Sequence, residues 1–176
     1  MKQSIITFFQ NPVTIFLGKV LLLYVAWDEL MSVYLNTSPL AYWLSGAVTN
    51  ASIYLLDVMG YAVRGYNKVF GINIDGKACV FLGNACNGLD FMGVFFCFVL
   101  AYPASWKSKI WFIPVGIVAI HLLNVLRVVL LALNMHYMRS TFDFNHKYTF
   151  MIAVYALIFW LWTTWIKRYG QSAEFA

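Results

Sequence analysis

The sequence predicts an all-α polytopic membrane protein, a bundle of about four to five transmembrane helices with a small extracytoplasmic β-hairpin before the helix that follows Cys86. Three observations carry that expectation. Of 176 residues, 62% are hydrophobic and only 11% charged, with a mean hydropathy of +0.72, which leaves too little polar surface for a soluble fold of this length. The apolar residues are gathered into blocks close to the roughly 20 helical residues that cross about 30 Å of hydrocarbon. An Asp-Gly pair, Asp75 and Gly76, stands between β-branched and aromatic runs in the one stretch where hydrophobicity drops. Residues 1–176 are expected to form a single integral membrane domain.

Taken in order, the first block covers residues 12–35 and carries Lys19 and the pair Asp28 and Glu29. The stretch before it has one lysine, no small-residue cleavage site and then Pro12, so it does not read as a removable signal peptide. A weaker second block, 43–63, contains Ser45, Thr49, Asn50, Ser52 and Asp57. It is either a span facing the bundle interior or an amphipathic helix at the interface. Between 64 and 84 the run YNKVFGINIDGKACVFLG reads as the hairpin, because a type I′ turn needs positive φ at both central residues. Open sheet edges are not tolerated in lipid, so the hairpin is expected on the membrane surface. Three clear spans follow at 89–102, 110–133 and 148–166.

Charge argues for anchoring. The net charge is +5, but the basic residues do not gather on a soluble face, so no nucleic-acid partner is expected. Pro103 with Trp106, Lys107 and Lys109 closes one span, and Trp160, Trp162, Trp165, Lys167 and Arg168 form a collar on the last. Placing both collars in the cytoplasm puts Cys86, the 134–147 loop and His146 outside. Arg64, Lys68, Lys77, Arg139 and Lys147 then lie outside too, so the charge count leaves the orientation of the N-terminus open. Cys79, Cys86 and Cys97 have no CxxC spacing and too few histidines nearby for a zinc site, so neither a metal nor a cofactor is expected.

Arg127 is the most expensive residue in the chain. It interrupts the run IWFIPVGIVAIHLLNVLRVVLLAL, where even insertion-based scales assign about 2.5 to 3.5 kcal/mol to an arginine at a helix centre. Asn124 and Asn134 fall on its side of a helical wheel and His121 at the edge, a polar stripe that serves either a site or helix association. Cys86, in GNACNGLDF, precedes a hydrophobic helix, whose dipole favours a thiolate. Asp90, four residues on, could pair with Arg127 or orient His146. His146 opens the last span, and two spans separate it from Cys86, which returns the chain to the same membrane face. Together Cys86, Arg127 and His146 have the layout of a cysteine transpeptidase or protease site: nucleophile, oxyanion stabiliser and general acid/base. Cys97 and Cys79 read as structural.

At these residues the chain resembles the exosortase/archaeosortase family of membrane transpeptidases, in its short bacterial form. The resemblance covers roughly residues 71–167 and rests on ACNGLDF around Cys86, on PASWKSKIWFIPVGIVAIHLLNVLRVVLLAL through Arg127 and on FDFNHKYTFMIAVYALIFWLW through His146. Residues 1–70 match less closely, which makes 71–167 the expected catalytic core. The resemblance implies a Cys, Arg and His triad at Cys86, Arg127 and His146. It also implies a site at the extracytoplasmic face of the inner membrane, and cleavage of exported proteins that end in a short motif, a transmembrane helix and a basic cluster. Membrane lipids and a small membrane protein are the further partners expected. Two rival readings are a noncatalytic assembly or scaffold subunit of an envelope sorting system, and a thiol oxidoreductase using Cys79 and Cys86.

Overall fold

The computed structural model describes residues 11–30, 37–66, 70–83 and 86–170. Helix α1 covers Pro12–Leu30 and α2 Pro39–Val58. Strands β1 (Val63–Tyr66), β2 (Gly71–Ile74) and β3 (Lys77–Phe81) follow, and then α3 (Leu89–Ala101), α4 (Trp106–Tyr137) and α5 (Phe150–Tyr169). A run of tight and wide turns, Arg139–Thr141, Phe142–Phe144 and Asn145–Thr149, leads without a break into α5. By length and composition two segments can cross a membrane: α4 alone, and Arg139–Tyr169 taken as one helical rod.

The boundaries differ from the expected ones in instructive places. The second block ends at Val58, not at 63, because Met59 caps it and Gly60 takes φ +91. That frees Val63 and its neighbours to pair, so the expected hairpin is a three-stranded antiparallel sheet of order β1-β2-β3, with Val63 opposite Ile74 and Tyr66 opposite Gly71. Its β2–β3 turn is the Asp-Gly pair, with φ +52 at Asp75 and +78 at Gly76, the signs a type I′ turn requires. Residues 31–35, assigned to the first block, lie outside the described residues. Helix α4 runs four residues further than expected at each end, to a length of about 48 Å at 1.5 Å per residue.

That length lets α4 serve two hydrophobic clusters. In the basal one, α1 lies antiparallel to α3, with Phe16 edge-on to Phe98 and Tyr102 at one end and Trp27 against Phe96 at the other. The first half of α4 packs there against α3 and α5 through Phe95, Phe112 and Trp165, the last two stacked at 5.1 Å. The second cluster joins Val48 and Leu56 of α2, Ile72 and Ile74 of β2, and Val128 and Ala132 of the distal half of α4. Helix α2 runs parallel to this distal half: Ser52 Oγ donates to the Val125 carbonyl at 3.5 Å, and the Tyr61 hydroxyl meets that of Tyr137 at 3.1 Å. The sheet packs on another side of α4, whose Leu122, Leu126 and Leu130 stay exposed, and the Cys86 turn falls at the seam between the clusters.

Candidate active site

The cysteine is presented by a turn held from two directions. The Asn87 side chain accepts from the Leu89 amide at 2.9 Å, which starts α3 locally. Gly88, the residue before α3, has φ +89 and lies against Asn124, so a side chain there would suffer both backbone strain and a 3.2 Å contact with the Asn124 amide. Asn124, fully buried on α4, donates its Nδ2 to the Cys86 carbonyl at 3.0 Å. The cysteine therefore hangs from the middle of α4, with its side chain free and half-buried.

His146 reaches that thiol from the other side. Its Nε2 lies 3.8 Å from Cys86 Sγ, within range of a weak sulfur hydrogen bond. The histidine sits in the wide turn Asn145–Thr149, which follows the i→i+5 pattern and is braced by Thr149 Oγ1 donating to Asn145 Oδ1 at 2.9 Å. Such widened turns re-aim side chains and recur at functional sites. The His146 ring is parallel to that of Phe142, 2° apart in plane and 5.9 Å between centres.

Arg127 completes the constellation one turn beyond Asn124. It is 6% exposed, and its Nε has no hydrogen-bond partner. The guanidinium lies 5.9 Å from the Phe91 ring centre, a cation–π contact, and no carboxylate pairs with it among the described residues. Ten residues separate it from the end of α4, a distance of about 15 Å along the helix axis. Cys86, Arg127 and His146 line one cleft of about 290 Å³, whose other walls include Cys79, Leu82, Val128, Leu131 and Phe142.

The remaining candidates separate. Asn124 holds the cysteine turn. Asn134 sits three turns further along α4 and donates to Thr141 Oγ1 at 2.8 Å, so it braces the loop that delivers His146. Asp90 is exposed and outside the cleft; its charged neighbour is Asp28 of α1, and it pairs with neither Arg127 nor His146. Cys79 lines the cleft, but burial pushes its thiol up, and its Sγ donates to the Lys77 carbonyl at 3.4 Å. Cys97 is buried against the Leu23 carbonyl of α1. Phe142 and Asn87 are additions that sequence reasoning passed over. The only signal for Phe142 was its place four residues before His146, and for Asn87 its tendency to cap a helix start.

Chemically the cleft offers a thiol, a nitrogen base in reach of it, and a buried cation without a counter-ion. No histidine, cysteine and carboxylate cluster suited to a metal occurs among the described residues. No curated protein and no solved structure matches the chain. The sequence profile of the transmembrane exosortase (Exosortase_EpsH) matches residues 12–163, which takes in α1 through most of α5 and so extends well before residue 71. With that match over most of its length, the chain belongs to the transmembrane exosortase family.

Proposed function

We propose that this chain is a membrane-embedded cysteine protease or transpeptidase that cleaves the C-terminal sorting signal of exported proteins at the extracytoplasmic face of the inner membrane. The observation that supports it most is the 3.8 Å approach of His146 Nε2 to Cys86 Sγ beside the buried Arg127, which pairs with no described carboxylate, across 60 residues of sequence. With the ring proton on Nδ1, Nε2 takes the thiol proton as sulfur adds to the substrate carbonyl carbon. The carbonyl oxygen becomes an oxyanion and is stabilised by Arg127, the nearest buried cation in the cleft. The imidazolium then gives its proton to the leaving amine, the C–N bond breaks, and a thioester remains on Cys86. Water or an acceptor nucleophile attacks that thioester and returns the thiol.

The test is to trap the thioester. Membranes incubated with a candidate tail peptide are examined by mass spectrometry for a hydroxylamine-sensitive adduct on Cys86. An adduct there supports the reading, and an adduct on no cysteine defeats it. The family match supports a membrane protein of a sorting system, and a scaffold subunit satisfies it equally. Undiminished processing of a cognate substrate by Cys86→Ala would favour that second role.

A further inference from the structure

The carboxylates among the described residues are segregated away from one end of the bundle. Asp28 and Glu29 end α1 beside the start of α3, Asp57 ends α2 next to the sheet, Asp75 is in the sheet, Asp90 begins α3, and Asp143 precedes α5. None of the described carboxylates thus lies at the end of the bundle away from the cleft. The basal end gathers the start of α1, the end of α3, the start of α4 and the end of α5. It carries Lys19, Lys107, Lys109, Lys167 and Arg168 and, among the described residues, no acid.

Two of these cations share a cavity. A pocket of about 570 Å³ lies between the first half of α1 and the α3–α4 connection, with Lys19 on one wall and Lys109 on the other. Lys109 is 5% exposed, donates to the Leu100 carbonyl at 2.8 Å and lies 5.0 Å over the Trp106 ring. An ammonium has three donors, so two remain for a ligand. The other walls are mainly apolar, including Ile15, Leu22 and Leu23, with Tyr102 beside the α3–α4 connection, and at Gly18 an added Cβ would meet open space. Two lysines with no described acid between them repel each other, and an anion from outside would relieve that repulsion. An anion seated among leucines at a Trp- and Lys-rich helix end has the chemistry of a headgroup phosphate with an acyl chain attached.

We propose that the cavity between α1 and the α3–α4 connection binds the phosphate of an anionic phospholipid, with Lys19 and Lys109 as its ligands and the α1 surface around Gly18 and Leu22 receiving an acyl chain. The site is at the basal end of the bundle, away from Cys86 at the middle of α4, and the proposal does not depend on catalysis. It gives the basal end a counter-charge that the described chain itself does not supply there.

The full chain, purified in detergent and stripped of lipid, is titrated with phosphatidylglycerol, phosphatidylcholine or inorganic phosphate. Melting temperature is followed, and native mass spectrometry counts retained lipid. Phosphatidylglycerol is expected to raise the melting temperature and remain bound. Lys19→Gln should weaken it about five-fold, the share of one lysine near an anionic surface. Gly18→Leu, which fills the cavity and leaves both lysines in place, should abolish retention. Equal effects of phosphatidylcholine would overturn the proposal, as would reproduction of the shift by inorganic phosphate. Unchanged binding in both variants, or no retained phosphatidylglycerol, would do the same.

Discussion

The basal bundle and the cleft half differ in what holds them together. At the base, large rings stack: Phe98 on Trp162 at 3.8 Å and Phe112 on Trp165 at 5.1 Å, with Phe95 filling the space above Gly116. In the cleft half the contacts come from Val48, Ile72, Val128 and Ala132, and small polar groups are buried among them. The side-chain atoms left without partners differ accordingly. At the base they are indole N–H groups, of Trp27, Trp162 and Trp165, together with His121 Nδ1. Around the cleft they are Asn87 Nδ2, Asn124 Oδ1, Arg127 Nε and Asn134 Oδ1. An unsatisfied buried polar group costs about 1–3 kcal/mol, so that concentration is a local loss of stability which the aromatic base offsets through the shared helix α4. The base is packed ring on ring, and the seam buries polar groups among small aliphatic side chains.

Substitutions on either side of the seam should therefore separate rate from stability. The largest effect is expected from Cys86→Ala, a loss of roughly 10³-fold or more in processing of a cognate substrate with the melting temperature preserved. Retained processing at the wild-type rate would mean that the seam carries no catalysis. Arg127→Gln should lower the rate by about 10²- to 10³-fold, the size of one lost oxyanion donor, and leave thioester formation slow even at saturating substrate. Gly116→Ala belongs to the base: its methyl would collide with the Phe95 ring, and the expected overpacking of about 1–3 kcal/mol should appear as a lower melting temperature with an unchanged rate per folded molecule. A fall in rate without a fall in melting temperature would break the division between the halves.

Asn124→Asp keeps the shape but removes the donor to the Cys86 carbonyl, and a cost of about 1–3 kcal/mol for that orphaned group should reduce processing roughly ten-fold. If the asparagine only packs helices, melting temperature will move and the rate will not. Cys79→Ser should have the smallest effect, leaving processing unchanged. Because burial holds the Cys79 thiol above its ordinary range, less thiolate is present at neutral pH, and an alkylating agent should modify Cys86 well before Cys79. Loss of function in Cys79→Ser would favour a redox pair, since both thiols line the cleft.

Local pattern made several features legible. The Asp75 and Gly76 turn was readable because only a narrow set of residues accepts two successive positive φ values. The buried stripe of Asn124, Arg127 and Asn134 followed from a 3.6-residue period in an otherwise apolar helix. Strand β1 straddles the expected boundary between the second apolar block and the hairpin stretch, with Val63 in the first and 64–66 in the second, and four residues leave no periodic mark of their own. The i+4 spacing of Asp90 from Cys86 does not bring it into the cleft, because Cys86 lies in the turn before Gly88 and not on the helix that carries Asp90.

By itself the sequence determined that this chain is mostly apolar helix, where a polar stripe with Arg127 interrupts it, and that Cys86 and His146 stand near helix starts, since hydropathy, period and turn chemistry are local properties. Only the tertiary structure decided that Asn124 carries the Cys86 turn, that a wide turn aims His146 at the thiol, and that Asp90 faces elsewhere. Those outcomes depend on how far α4 extends, on which face of it each neighbour packs, and on contacts across tens of residues that no local pattern encodes.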